Sequence, residues 1–221
     1  MRTDLAIEAD GRRSPRIAAS GGLSARLTGP DTVHLIGTAA TPLGGDVMYI
    51  SIVVGAGARL AIHSVAASLA LPGAVDRESF AHWSFEVGAG ASLVFDPEPM
   101  IVAADAVHHT TSVLHFTSSS TIEFRERVQI GRAGERGGRW RATTHSDVDG
   151  RPHLRHRIEL GEGSVGHDAL AAPMALSSTL IFPDDRAADT DGRTRVRMPL
   201  AAGGSLTTST AARLDALPVQ S

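Results

Sequence analysis

Short runs in which apolar and polar residues alternate recur along the chain: "VMYISIVV", "HWSFEV", "TSVLHF", "RHRIEL" and "RVRMPL". Period two is the signature of a strand with one buried face. A cluster of small residues follows each run. "VGAGARL" (Val54–Leu60) recurs as "VGAGASL" (Val87–Leu93), 33 residues later, and weaker echoes follow at "FTSSSTI", "LGEGSVG" and "LAAGGSL". Glycine supplies positive φ at such a corner, while Ala and Ser keep it narrow. After the two strong copies and the Phe116 copy comes a further β-like run: "ARLAIHS", "ASLVFDP" and "STIEFRE". Repeated β-turn-β units predict an all-β protein, its sheets stacked in a sandwich or a β-helix-like arrangement. "DVDGRP" (Asp147–Pro152) and "DTDGRT" (Asp189–Thr194) add two Asp-Gly hairpin turns.

Helical pattern is scarce, and one or two short helices are expected. "AVHHTTS" and "ALAAPMALSS" are ambiguous. "STAARLDAL" (Ser209–Leu217) is the best candidate, with Ala212, Leu214 and Leu217 on one face and Pro218 ending it. No stretch rich in Pro, Gly or charge divides the chain. Residues 1–221 therefore read as a single domain, with Met1 to about Leu23 forming either a loosely ordered arm or a first strand.

Composition narrows the chemistry. The net charge of −3 offers no global field for nucleic acid or an anionic membrane. No apolar run approaches the roughly 18 residues of a membrane span. The start, "MRTDLAIEADGRR", lacks the order of a signal peptide, so a cytoplasmic protein is expected. Cysteine is absent, which removes disulfides and thiolate metal sites; a metal here must meet imidazole, carboxylate, thioether or backbone oxygen. Lysine is absent too, a bias toward arginine that lowers the information in any Arg-rich segment.

Several constellations remain. His153 and His156 in "RPHLRHR" lie three apart and should point to opposite faces of a strand, as should adjacent His108 and His109. "DPEP" (Asp96–Pro99) carries two carboxylates suited to acid/base work or a hard cation, or else marks a proline-stiffened sheet edge. In "TPLGGD", Gly44 and Gly45 precede Asp46, either a carboxylate presented at a bend or an Asx-type turn. In "FRERVQIGRAGERGGRW", Glu126 or Arg125 must face partly inward, and the glycines permit a bulged loop around a Glu–Arg pair. Only Trp140 could stack on a base there, so a nucleic-acid grip is disfavoured.

In combination, "TPLGGDVMYISIVVGAGARLAIHS", "DPEPMI" and "ERVQIGRAGERGGRW" followed by "VDGRP" resemble the urease accessory protein D family, from about Leu23 to the C-terminus. The resemblance implies a β-rich, non-enzymatic scaffold. Its partners would be the urease apoprotein subunits and other accessory proteins, a GTPase among them, and it would assist nickel insertion. No tightly bound cofactor is implied, only nickel in transit. The residues matching the family's blocks are Asp46, Glu126 and Glu135 as candidates for a nickel path, with salt bridges to Arg132 or its neighbours as the competing role. Gly44, Gly45, Gly131 and Arg132 are the structural or partner-binding candidates. Two other classes stay open: a β-rich enzyme or binding module acting on carbohydrate through Asp96 and Glu98, and a secreted repeat adhesin.

Overall fold

The computed structural model describes residues 1–135, 137–164, 167 and 171–217. Strands β1 (Arg2–Ala9) and β2 (Arg16–Ser20) form a hairpin in one sheet, and β3 (Leu23–Leu27) and β4 (Thr32–Gly37) form a hairpin in the other. The chain then winds through three coils. In the first, β5 (Val47–Val54) turns a tight corner into β6 (Arg59–Ser64), followed by short β7 (Ser68–Ala70). The second repeats this with β8 (Glu78–Val87), β9 (Ser92–Phe95) and β10 (Met100–Val102), and the third with β11 (Val107–Phe116) and β12 (Thr121–Ile130). Each coil carries one strand into the smaller sheet and one or two into the larger, so β5, β8 and β11 stack in parallel, as do β6, β9 and β12.

The 33-residue sequence repeat is one such coil. Its corners need Gly57 (φ 70°) and Gly90 (φ 65°), conformations costly for a residue with a Cβ. The third corner replaces glycine by hydroxyls: the Gly90 amide donates to Ser119 Oγ (3.0 Å), and Ser120 Oγ donates to the Gly88 carbonyl (3.0 Å).

Antiparallel strands finish both sheets. After β13 (Arg139–Val148), which joins β11 in parallel, the chain reverses at Asp149-Gly150 into β14 (Arg151–Gly161). β15 (Ala175–Phe182), β16 (Asp189–Asp191), β17 (Arg195–Pro199) and β18 (Ser205–Ala211) extend the other sheet. Among the described residues the sheet orders are β14-β13-β11-β8-β5-β1-β2 and β16-β17-β18-β15-β12-β9-β6-β4-β3, with β7 and β10 pairing beside β12.

Of the two forms left open for the segment before Leu23, the structure has the strand form, as two paired strands. Three expectations change. The helix expected at Ser209–Leu217 is not formed: Ser209–Ala211 belong to β18, paired to β15, and only a 3₁₀ turn at Leu214–Ala216 remains. Pro218 lies outside the described residues. "DPEP" is not an edge, because β9 sits between β6 and β12; its prolines end β9 and lead the chain into β10. Lastly, His153 and His156 do not diverge. A bulge, with Ser146 opposite Leu154 and Asp147 opposite Pro152, leaves His153 as the extra residue and turns its ring inward onto Phe116 and Phe182. Among the described residues no helix is long and apolar enough to cross a membrane.

The sheets meet through inward residues that form two apolar clusters. One, at the corner end, gathers Ile52, Phe85, Leu93, Phe95, Phe124, Leu180 and Leu206. The other holds Val102, Val128, Ile130, Trp140, Leu160 and Leu176.

Candidate functional site

Between those clusters runs a polar level. On β12 the inward positions read Ile122, Phe124, Glu126, Val128, Ile130; Phe124 belongs to the first cluster and Val128 to the second. Glu126 is the break. Its register partner on β15 is Ser178, whose partner on β18 is Thr208. In the facing sheet, Ser112 on β11 is paired with Thr144 on β13, and Thr144 with His156 on β14. Thr144 Oγ1 donates across the interface to Glu126 Oε2 at 3.3 Å. Six strands thus each place a polar side chain at one height.

This level opens into a cavity of about 450 Å³. Glu126, Ser112, Thr110, His108 and Trp140 contribute to its walls, and exposed Ala39–Ala40 and Val65–Ala67 stand at its mouth. Burial raises the Glu126 carboxyl to about 7, the Thr144 hydroxyl offsetting only part of the effect. His108 is fully buried; Nδ1 meets Ser79 Oγ at 2.9 Å, and Nε2 has no hydrogen-bond partner among the described residues. Burial, with the neighbouring His109, lowers this ring to about 3, so it is a neutral imidazole. Ser112 Oγ and Thr208 Oγ1 likewise lack partners among the described residues. Carboxylate, imidazole and hydroxyl groups lining one space suit water and a borderline cation.

The structure separates the other candidates from this level. Asp46 accepts from the Leu43 amide (2.9 Å), Thr41 Oγ1 (2.9 Å) and the amino group of Met1. Burial pushes its pKa up, but these donors outweigh it and the net shift is downward. The carboxylate closes the turn by reaching back to Leu43, three residues before it, rather than two residues ahead as in an Asx turn. Gly44 is required there because a Cβ would lie 1.9 Å from the Asp76 carbonyl oxygen, and Gly45 takes φ 89°. Glu135 is held by the Arg132 side chain and amide and lies 3.4 Å from the Ala104 amide, which brings it to about 2. Gly131, at φ 77°, bends the chain so that this pair can close. The Gly/Arg block is a clamped loop, of which Arg136 lies outside the described residues.

Arg125 and Arg127 face outward and both bind Asp96, at 3.3 and 2.7 Å. That engagement leaves Asp96 poorly placed for acid/base work with Glu98. Nor do three or more His, Asp or Glu gather as a metal cluster among the described residues. The polar level went unseen in the sequence because each strand contributes only one member of it. The one legible sign was the inward glutamate in the alternation of β12.

A family model described as UreD urease accessory protein matches residues 18–217. The chain is 36% identical over 233 aligned positions to urease accessory protein UreD 1 of Saccharopolyspora erythraea, covering 100% of this chain and 89% of the relative. It is 34% identical over 210 positions to urease accessory protein UreD of Parafrankia sp., covering 81% and 71%. With the UreD protein of Frankia alni the identity is 38% over 156 positions, covering 68% and 52%.

Proposed function

The chain belongs to the UreD urease accessory protein family, which gives it a role in urease maturation, and on that premise we propose that it works as a non-enzymatic scaffold. It binds the urease apoprotein and other accessory proteins, a GTPase among them, in the cytoplasm, and assists nickel insertion. The observation that carries the nickel part of this reading is the polar level at Glu126 between two apolar clusters. Nickel is cargo here, passed on rather than kept. A lone carboxylate near 7, hydroxyls and a neutral imidazole attract a borderline cation without caging it. Asp46 and Glu135 support the same role indirectly, by holding the bend before β5 and the loop before β13.

The test is co-expression of urease subunits and accessory proteins with the wild-type chain, with Glu126→Ala, with Glu135→Ala and without the chain. Nickel content and activity of the purified urease are then measured, together with what co-purifies. Expected are loss of activation without the chain, reduced nickel with Glu126→Ala despite normal co-purification, and near-normal nickel with Glu135→Ala. Normally loaded urease from cells lacking the chain would end the scaffold reading. Full loading by Glu126→Ala would remove the interior route alone.

A further inference from the structure

We propose that His34 and His63 form a binding site for a single borderline divalent cation, such as zinc, nickel or copper, on the outer face of the larger sheet. The two residues are register partners on parallel neighbours β4 and β6, so their side chains leave the same face. Both are half-buried, their ring centroids lie 5.4 Å apart, and the rings are tilted by 39°. Each ring has one nitrogen engaged by the protein. His63 Nδ1 lies 3.2 Å from the Asp96 carbonyl oxygen, and His34 Nδ1 lies 2.7 Å from Thr28 Oγ1.

A carbonyl oxygen can only accept, so His63 Nδ1 carries the hydrogen and its Nε2 keeps a lone pair. The Thr28 hydroxyl can accept in the same way and give His34 the same tautomer. Imidazoles oriented through the second nitrogen in this manner are the usual arrangement of metal-bound histidines. The spacing also fits. With both Nε2 atoms about 2.1 Å from one ion, each ring centroid would lie about 3.2 Å from it, and the 5.4 Å separation would subtend about 115°, near tetrahedral.

A nitrogen pair selects zinc, nickel or copper over magnesium or calcium, which want oxygen. Water fills the remaining coordination positions. Arg26 is the register partner of His34 on its other side, and its charge opposes a cation, so micromolar rather than nanomolar affinity is expected. The inference rests on this pair alone and does not depend on the interior route.

Tag-free protein titrated calorimetrically with Ni²⁺, Zn²⁺ or Cu²⁺, with Mg²⁺ as control, tests it. One transition-metal ion should bind per chain. His34→Gln or His63→Gln should each weaken binding at least about tenfold, and Thr28→Val should weaken it by about tenfold through the lost support. Arg26→Gln should tighten it severalfold. Cu²⁺ electron paramagnetic resonance should show two nitrogen ligands in the wild type and one in either single variant. Metal-free melting curves identical to wild type establish that the variants fold. Wild-type affinity in the His34→Gln/His63→Gln double variant overturns the proposal. So does loss of the site in Glu126→Ala, which would assign the binding to the interior.

Discussion

At the level of Phe124 the two sheets meet through aromatic rings: Phe85 approaches it edge-on at 5.4 Å and Phe95 stacks on it at 5.1 Å. One inward position further along β12, at Glu126, they meet through a hydroxyl–carboxylate contact of 3.3 Å beside a cavity. The first level is packed as a protein interior should be. The second retains Ser112 Oγ and Thr208 Oγ1 without partners among the described residues, and its cavity reaches His108 Nε2, likewise unpaired, where apolar side chains of the same size would stabilise more. Local rules are broken at one height across six strands, which is where a functional feature is expected rather than a packing fault.

The largest effect expected from breaking this contrast lies at the aromatic level. Phe85 is 0% exposed; its ring stacks on Trp83 and meets Phe95 and Phe124 edge-on. Phe85→Ala should cost about 3–5 kcal/mol, the usual loss for a large-to-small change in a close-packed core. Urea unfolding measures it. A loss under about 1 kcal/mol would mean that this level is no better packed than the polar one.

Asp46 sharpens the comparison, since it is a buried carboxylate with every need met. Removing it as Asp46→Ala strands the Leu43 amide and the Met1 amino group, and should cost about 2–4 kcal/mol near neutral pH. Its folded pKa lies below the ordinary 3.8. The unfolded state therefore binds the proton first as pH drops, and the stabilisation is present above that value and lost as pH falls through the folded pKa. The gap between wild type and variant should close in acid. A gap independent of pH would assign the loss to the bend rather than to the charge.

Much of the aromatic level was legible in the sequence and little of the polar one, for a physical reason. "VGAGARL" and "VGAGASL" announce corners because only glycine takes φ near 70° cheaply, and the flanking alternation announces strands. Ser209–Ala211 misled because Ala and Leu spacing over nine residues mimics a helix face, while pairing with β15 decides the outcome. His153 misled because a bulge shifts register without altering composition. The alignment of Ser112, Thr144 and His156 with Glu126, Ser178 and Thr208 depends on register between strands distant in sequence. Periodicity within a strand carries no trace of it.

The smallest effect belongs to Glu126→Gln, and its sign is the sharpest test. Glutamine keeps an acceptor for the Thr144 hydroxyl and removes the charge that the interior disfavours. In the wild type the unfolded carboxyl titrates near 4.5 and the folded one near 7. Below 4.5 both states hold the proton and the residue is neutral toward stability. Between 4.5 and 7 the unfolded state loses its proton first, so wild-type stability falls as pH rises; above 7 the deficit stays constant. Glu126→Gln should therefore match wild type near pH 4 and exceed it by on the order of 1–3 kcal/mol at pH 8. A variant less stable than wild type at pH 8 would mean that the glutamate is held by partners, as Asp46 is, and the distinction between the two levels would collapse.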